Sequence, residues 1–95
     1  MTTKDRAVLR SAANTLEACC YIGKEGVTDA VLNGVRDALT ARELIKLSVQ
    51  ENCPLTAREA CEEICDCLGA DPVQCIGRKF VIYKRNKEID AYGIR

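Results

Sequence analysis

Ninety-five residues suffice for one domain, at the usual ~100–150 residues each, and are too few for two. An apolar fraction of 47% excludes global disorder, and no stretch approaches the ~20 apolar residues that cross a bilayer. The absence of His and Trp removes His-based acid–base catalysis, Ser–His–Asp triads and His-ligated metal sites, while a formal net charge of +0 argues against a bulk electrostatic binder of nucleic acid.

In chain order, the segment from Thr3 to Glu17 reads as a helix. Val8, Leu9, Ala12, Ala13 and Leu16 recur at helical spacing, and Thr2 or Thr3 is placed to cap the first turn. Lys4, Arg6 and Arg10 project from its other side. Cys19–Ile22 is a short apolar run that stops at glycine, the pattern of a buried strand. Gly23-Lys24-Glu25-Gly26 forms a tight loop, and Thr28 caps a second helix that runs to about Thr40. Gly34 inside that helix costs ~1 kcal/mol against Ala and so predicts a close packing contact.

Glu43 to Val49 alternates, with Ile45, Leu47 and Val49 on one face and Lys46 and Ser48 on the other. Thr56-Ala57-Arg58-Glu59 is a capping box. It opens a third helix whose Ala57, Ala60, Cys61, Ile64 and Leu68 form the clearest stripe in the chain, with Gly69 as its stop. Val73–Ile76 and Lys79–Lys84, separated by Gly77-Arg78, form an antiparallel hairpin. Asn86 to Arg95 reads as a loose tail. The order α-β-α-β-α-β-β describes a single α+β domain, a four-stranded mixed sheet packed with helices, with its core at about residues 3–85.

The neutral total conceals a split. Residues 1–50 hold seven basic and six acidic side chains, residues 51–72 one and six, and residues 73–95 six and two. A localised basic face is therefore available outside the acidic segment. The seven Cys, odd in number and with no secretory signal ahead of them, point to free thiols in a reducing cytoplasm. Cys61 and Cys65 share the buried stripe of the third helix and no second pair lies behind them, so structural thiols are favoured over a metal site or redox chemistry.

The Gly23–Gly26 loop joins a strand to a helix start. Glycines permit close backbone approach, first-turn amides attract anions, and Lys24 adds a cation. KH domains clamp RNA backbone with a GXXG loop for these reasons; an ordinary strand-to-helix turn would also need glycine. Neither a Walker loop nor a dinucleotide fingerprint is present. Tyr21 and Tyr83, both in strands, are expected to pack in the sheet, with base stacking as the other reading.

Several blocks of the chain resemble a known family. They are Lys4-Asp5-Arg6 with Leu9-Arg10-Ser11-Ala12-Ala13-Asn14, Ile22-Gly23-Lys24-Glu25-Gly26-Val27-Thr28, Ala38-Leu39-Thr40-Ala41-Arg42-Glu43-Leu44-Ile45-Lys46, Val73-Gln74-Cys75-Ile76-Gly77-Arg78 and Val81-Ile82-Tyr83-Lys84-Arg85. In this order and spacing they resemble the YhbY-type RNA-binding proteins, single-domain members of the CRM (chloroplast RNA splicing and ribosome maturation) family. The resemblance implies a fold like the C-terminal domain of bacterial translation initiation factor 3 preceded by one helix. It implies a non-catalytic role on ribosomal RNA in large-subunit precursors, and an RNA surface made by the GxxG loop and neighbouring basic residues. Family loops often carry a neutral or small residue where this chain has Glu25.

The resulting site expectation comprises Gly23, Lys24, Gly26 and Thr28 with Lys4, Arg6, Arg10, Arg42, Lys46, Arg78 and Lys84. Arg42 and Lys46 flank the loop if their strand lies beside the first, although Arg42 has Glu43 as a possible ion-pair partner. No cofactor, membrane or small-molecule substrate is expected, and the chain is expected to be a cytoplasmic monomer. A thiol- or metal-dependent small protein and a protein–protein adaptor are the alternatives.

Overall fold

The computed structural model describes residues 2–94. Helix α1 (Thr3–Ala13) leads into β1 (Ala18–Ile22), α2 (Asp29–Arg42), β2 (Leu44–Val49), α3 (Ala57–Leu68), β3 (Asp71–Ile76) and β4 (Lys79–Tyr83). The expected α-β-α-β-α-β-β order holds. The sheet order is β1-β2-β4-β3. β1 runs parallel to β2, while β4 is antiparallel to both β2 and β3.

The hairpin requires β3 and β4 to be neighbours, and composition decides which of them lies inside. In β4, Phe80, Val81, Ile82 and Tyr83 are all buried, as a strand covered on both faces must be. β3 carries Pro72, which has no N–H for a second ladder, and a register shift beside it, so it forms the edge.

Two cores lie on opposite faces of the sheet. Ile22, Ile45, Leu47, Val49, Phe80 and Ile82 meet α2 and α3 on one face. Leu44, Val81, Tyr83 and Val73 meet Leu9 and Ala13 of α1 on the other. The alternation read from Ile45, Leu47 and Val49 gives the drier face of β2; on the other face Leu44 is buried beneath α1, while Lys46 and Ser48 are half-buried.

Several expectations need correction. α1 stops at Ala13 instead of Glu17, with Asn14 as its C-cap. There the Thr15 hydroxyl donates to the Ala12 carbonyl, a local bond that competes with further helix. Gly34 makes no close contact: a Cβ there would meet nothing within 4 Å. Glu43 is the C-cap of α2, not a strand residue. It holds φ 64°, and its backbone N–H donates to Leu39.

The loose tail is in fact docked, and Glu43 docks it. Its wholly buried carboxylate accepts from the backbone N–H of Asn86 at 2.8 Å and of Ala91 at 2.6 Å, and from the Tyr83 hydroxyl at 3.4 Å. The Asn86 side chain donates to the Thr40 carbonyl. Tyr92 meets Tyr83 edge to face at 6.3 Å, and Ile94 is buried in the α1-side core. Arg95 lies outside the described residues.

Candidate nucleic-acid interface

The parallel pairing of β1 with β2 brings the strand ends Ile22 and Val49 together. The Gly77-Arg78 turn joins them, because the Val49 N–H donates to the Arg78 carbonyl at 2.8 Å. The Gly23–Gly26 loop, the 50–53 segment and the β3–β4 turn thus share one end of the sheet. An open hollow of about 470 Å³ lies there, bordered by Gly23, Lys24, Gly26, Thr28, Gln50 and Asn52. Lys24 and Glu25 form the exposed tip of the loop.

The glycines act differently from the sequence expectation. Gly26 is buried, holds φ +70°, and its missing Cβ points towards Leu55 and Pro54. Its N–H donates to the Gly23 carbonyl at 3.0 Å, closing the turn. Backbone geometry therefore requires this glycine, and its bare side faces inward. At Gly23 a Cβ would come within 3.0 Å of the Gln50 side-chain oxygen. Thr28 is the N-cap of α2: its Oγ1 accepts from the Val31 N–H at 3.2 Å. The first amides of α2 lie outside the helix's own ladder, that of Val31 being taken by Thr28, and Thr28 and Val31 border the hollow.

The fold divides the other predicted cations. Lys46 points to the α1 side of β2, and Lys79 of β4 joins it there, because Ser48 pairs with Lys79 and Lys46 with Val81. Arg78 sits on the turn and meets Glu51 at 3.4 Å, an exposed pair that contributes little and leaves the guanidinium accessible. Lys4, Arg6 and Arg10 are exposed on α1, over the same sheet face. Arg42 and Lys84 are elsewhere. β2 starts next to Arg42 and ends beside the loop, so the two are separated by the strand's length, roughly 17–20 Å. Lys84 donates through Nζ to the Leu68 carbonyl at 2.7 Å, satisfying the C-terminus of α3. The Glu43 carboxylate is turned inward to the tail amides.

The charge split of the sequence becomes a division across the sheet. Exposed Glu59, Glu62, Glu63 and Asp66 line α3 on one side, with Arg58 paired to Glu62, and Lys4, Arg10, Lys46 and Lys79 occupy the other; Arg6 sits at the β3 edge between them, bordering the same hollow as Glu62. Tyr21 lies on this second side. It pairs with Ser48, and with 58% of its surface exposed it does not pack as expected; Tyr83 does. Alternation about Ile22 was the signal in the sequence: the residue before a buried strand end faces the opposite way.

The cysteines are free. Cys61 and Cys65 are buried as expected, whereas Cys67 and Cys75 are exposed. Burial, with the neighbouring Cys19 thiol at 3.6 Å, pushes the Cys20 thiol up to about 11. Cys65 is pushed up because its own S–H is held in a hydrogen bond to Cys61 and because it is buried, and the same bond holds Cys61 below the ordinary thiol value. At Cys20 and Cys65 these effects favour inert thiols over thiolates.

The match to the CRS1/YhbY (CRM) domain covers residues 1–84. The chain belongs to this family. YqeI of Bacillus subtilis strain 168, named a probable RNA-binding protein, is 39% identical over 93% of this chain and 92% of its own length. A Haemophilus influenzae protein named as RNA-binding is 31% identical over 93% and 89%. The solution structure of a hypothetical Staphylococcus aureus protein, for which RNA binding has been suggested, superposes with a TM-score of 0.70. It shares 31% identity, and 90% of each chain is covered. The CRM domain thus occupies nearly the whole chain. Among the described residues no helix is long and apolar enough to cross a membrane.

Proposed function

We propose that this CRM domain is a non-catalytic, cytosolic RNA-binding module whose target is ribosomal RNA in precursors of the large subunit. In this reading the Gly23–Gly26 loop and the first turn of α2 receive a backbone phosphate. Lys24, Arg78, Lys46 and Lys79 extend the contact, and Lys4, Arg6 and Arg10 lengthen it along α1. The observation that carries the reading is the distribution of charge: Lys4, Arg10, Lys46 and Lys79 lie on the α1 side, while Glu59, Glu62, Glu63 and Asp66 lie on α3 behind the sheet. A chain with no net charge can hold a polyanion only through such a division. Glu25 and Asp29 keep the loop's own field modest, so affinity comes from several dispersed contacts.

RNA binding measured across a salt series tests the proposal. Lys24→Ala is expected to weaken binding and to lower the salt slope by about one contact. Lys84→Ala is expected to leave that slope unchanged while lowering stability by about 1 kcal/mol, because its bond to Leu68 is structural. Co-sedimentation with large-subunit precursors tests the ribosomal target. Equal slopes for wild type and Lys24→Ala would overturn the loop assignment, and sedimentation away from precursors would overturn the target.

A further inference from the structure

The face of the sheet that carries α1 is only partly covered. α1 lies over β2 and β3, where Leu44, Val81, Tyr83 and Val73 receive Leu9 and Ala13. Towards the loop end, the pairings Tyr21–Ser48, Ser48–Lys79 and Lys79–Ile76 align four side chains in one row across all four strands. Tyr21 is 58% exposed and Ile76 66% exposed. The next row is Ala18, Lys46, Val81 and Gln74, in which Val81 is buried in the α1-side core while Lys46 stays half-exposed. Neither row contains a carboxylate, although acidic residues are as numerous as basic ones in the chain.

We propose that this open strip of sheet seats an unpaired stretch of RNA, with the Tyr21 ring stacked on a base and Lys46 and Lys79 on the flanking phosphates. The inference rests on the RNA-binding reading and adds to it a second contact of a different kind. The Tyr21 hydroxyl reaches back along its own strand to the Ala18 carbonyl at 3.4 Å. This bond draws the ring along the strand and leaves much of its surface to solvent. Lys46 is the diagonal neighbour of Tyr21 on β2, ~7–8 Å away, and Lys79 lies in the same row two strand spacings from Tyr21, roughly 10 Å. Ile76 offers an apolar contact three strand spacings away, roughly 14 Å from Tyr21. Tyr21 lies two residues before Gly23, where the loop begins, so a strand of RNA leaving the loop reaches Tyr21 without a gap. A duplex hides its base faces, whereas an unpaired segment offers them to an aromatic ring and its phosphates to the lysines.

The test uses the full chain with a short single-stranded RNA lacking self-complementarity and a blunt duplex of equal length. Tyr21→Ala is expected to weaken single-strand binding about tenfold, within the range of a base–aromatic stack, and to leave duplex binding within about twofold. Tyr21→Phe should bind like wild type, since the ring and not the hydroxyl is used. The chain has no Trp, so Tyr21→Trp supplies a unique fluorophore whose emission should be quenched by the single strand. Single-strand affinity unchanged in Tyr21→Ala, or unquenched emission at saturation, overturns the inference, as does an equal loss on both RNAs. If these failures occur while binding still depends on Lys24, the loop reading stands and only the strip falls. If wild type binds neither RNA, both fall. A face used for a protein partner would produce the first pattern.

Discussion

Truncating Glu43 to Ala would remove the anchor of the C-terminal segment, and the structure bounds the cost from two directions. The carboxylate accepts two short amide bonds, 2.8 Å from Asn86 and 2.6 Å from Ala91, and a longer one from Tyr83. Hydrogen bonds to a charged group contribute ~1.5–3 kcal/mol each, so losing the two short ones costs about 3–6 kcal/mol if the tail stays in place with its amides unpaired. The tail has another course: it can undock and return those amides to water. The loss is then limited to the docking energy, chiefly the burial of Ile94 and part of Tyr92, at about 1.5–3 kcal/mol for a large apolar side chain. The two limits meet near 3 kcal/mol, a large share of the ~5–15 kcal/mol that holds a domain folded. Urea denaturation should show this drop, and amide exchange should show protection lost from Asn86 to Ile94. Glu43→Gly should cost about 1 kcal/mol less than Glu43→Ala, because φ 64° strains any residue with a Cβ. A loss under about 1 kcal/mol in Glu43→Ala, with tail amides still protected, would refute the clasp.

Gly34→Ala should stabilise the protein by about 0.5–1 kcal/mol, since the helix gains propensity and the added methyl meets nothing within 4 Å; a lower Tm than wild type would contradict this. The raised thiol of Cys20 makes stability depend on pH. The folded state holds the proton more tightly than the unfolded chain, so this contribution is complete below the ordinary thiol value of 9.0 and declines as pH rises through about 11. Denaturation midpoints over that window should fall more steeply for wild type than for Cys20→Ala, and parallel curves would remove burial as the cause.

Local chemistry made much of this protein legible from its residues in order. The Thr56–Glu59 capping box and the Gly69 stop delimit α3 through bonds made within a turn, and the Thr28 cap and the GxxG turn lie where short-range geometry requires them. The family blocks, in order, led to the fold. Properties of pairs distant in sequence were not legible. Glu43 looks like the first residue of an alternating strand, yet it becomes a buried anchor because residues 86–91 return to it, a contact that no local pattern encodes. Arg42 and Lys46 are close in sequence, but a parallel β1–β2 pairing carries Arg42 to the far end of the sheet and sets Lys46 opposite Ala18 at the start of β1, so neither adjoins the loop. Tyr21 stands in the open because α1 crosses β2 and β3 without covering β1. Sequence alone determines which faces are apolar and where helices begin, since those depend on side-chain spacing and on bonds within a few residues. Tertiary structure decides which charges stand together and which faces stay uncovered, since those depend on strand order, register and the placement of a helix across the sheet.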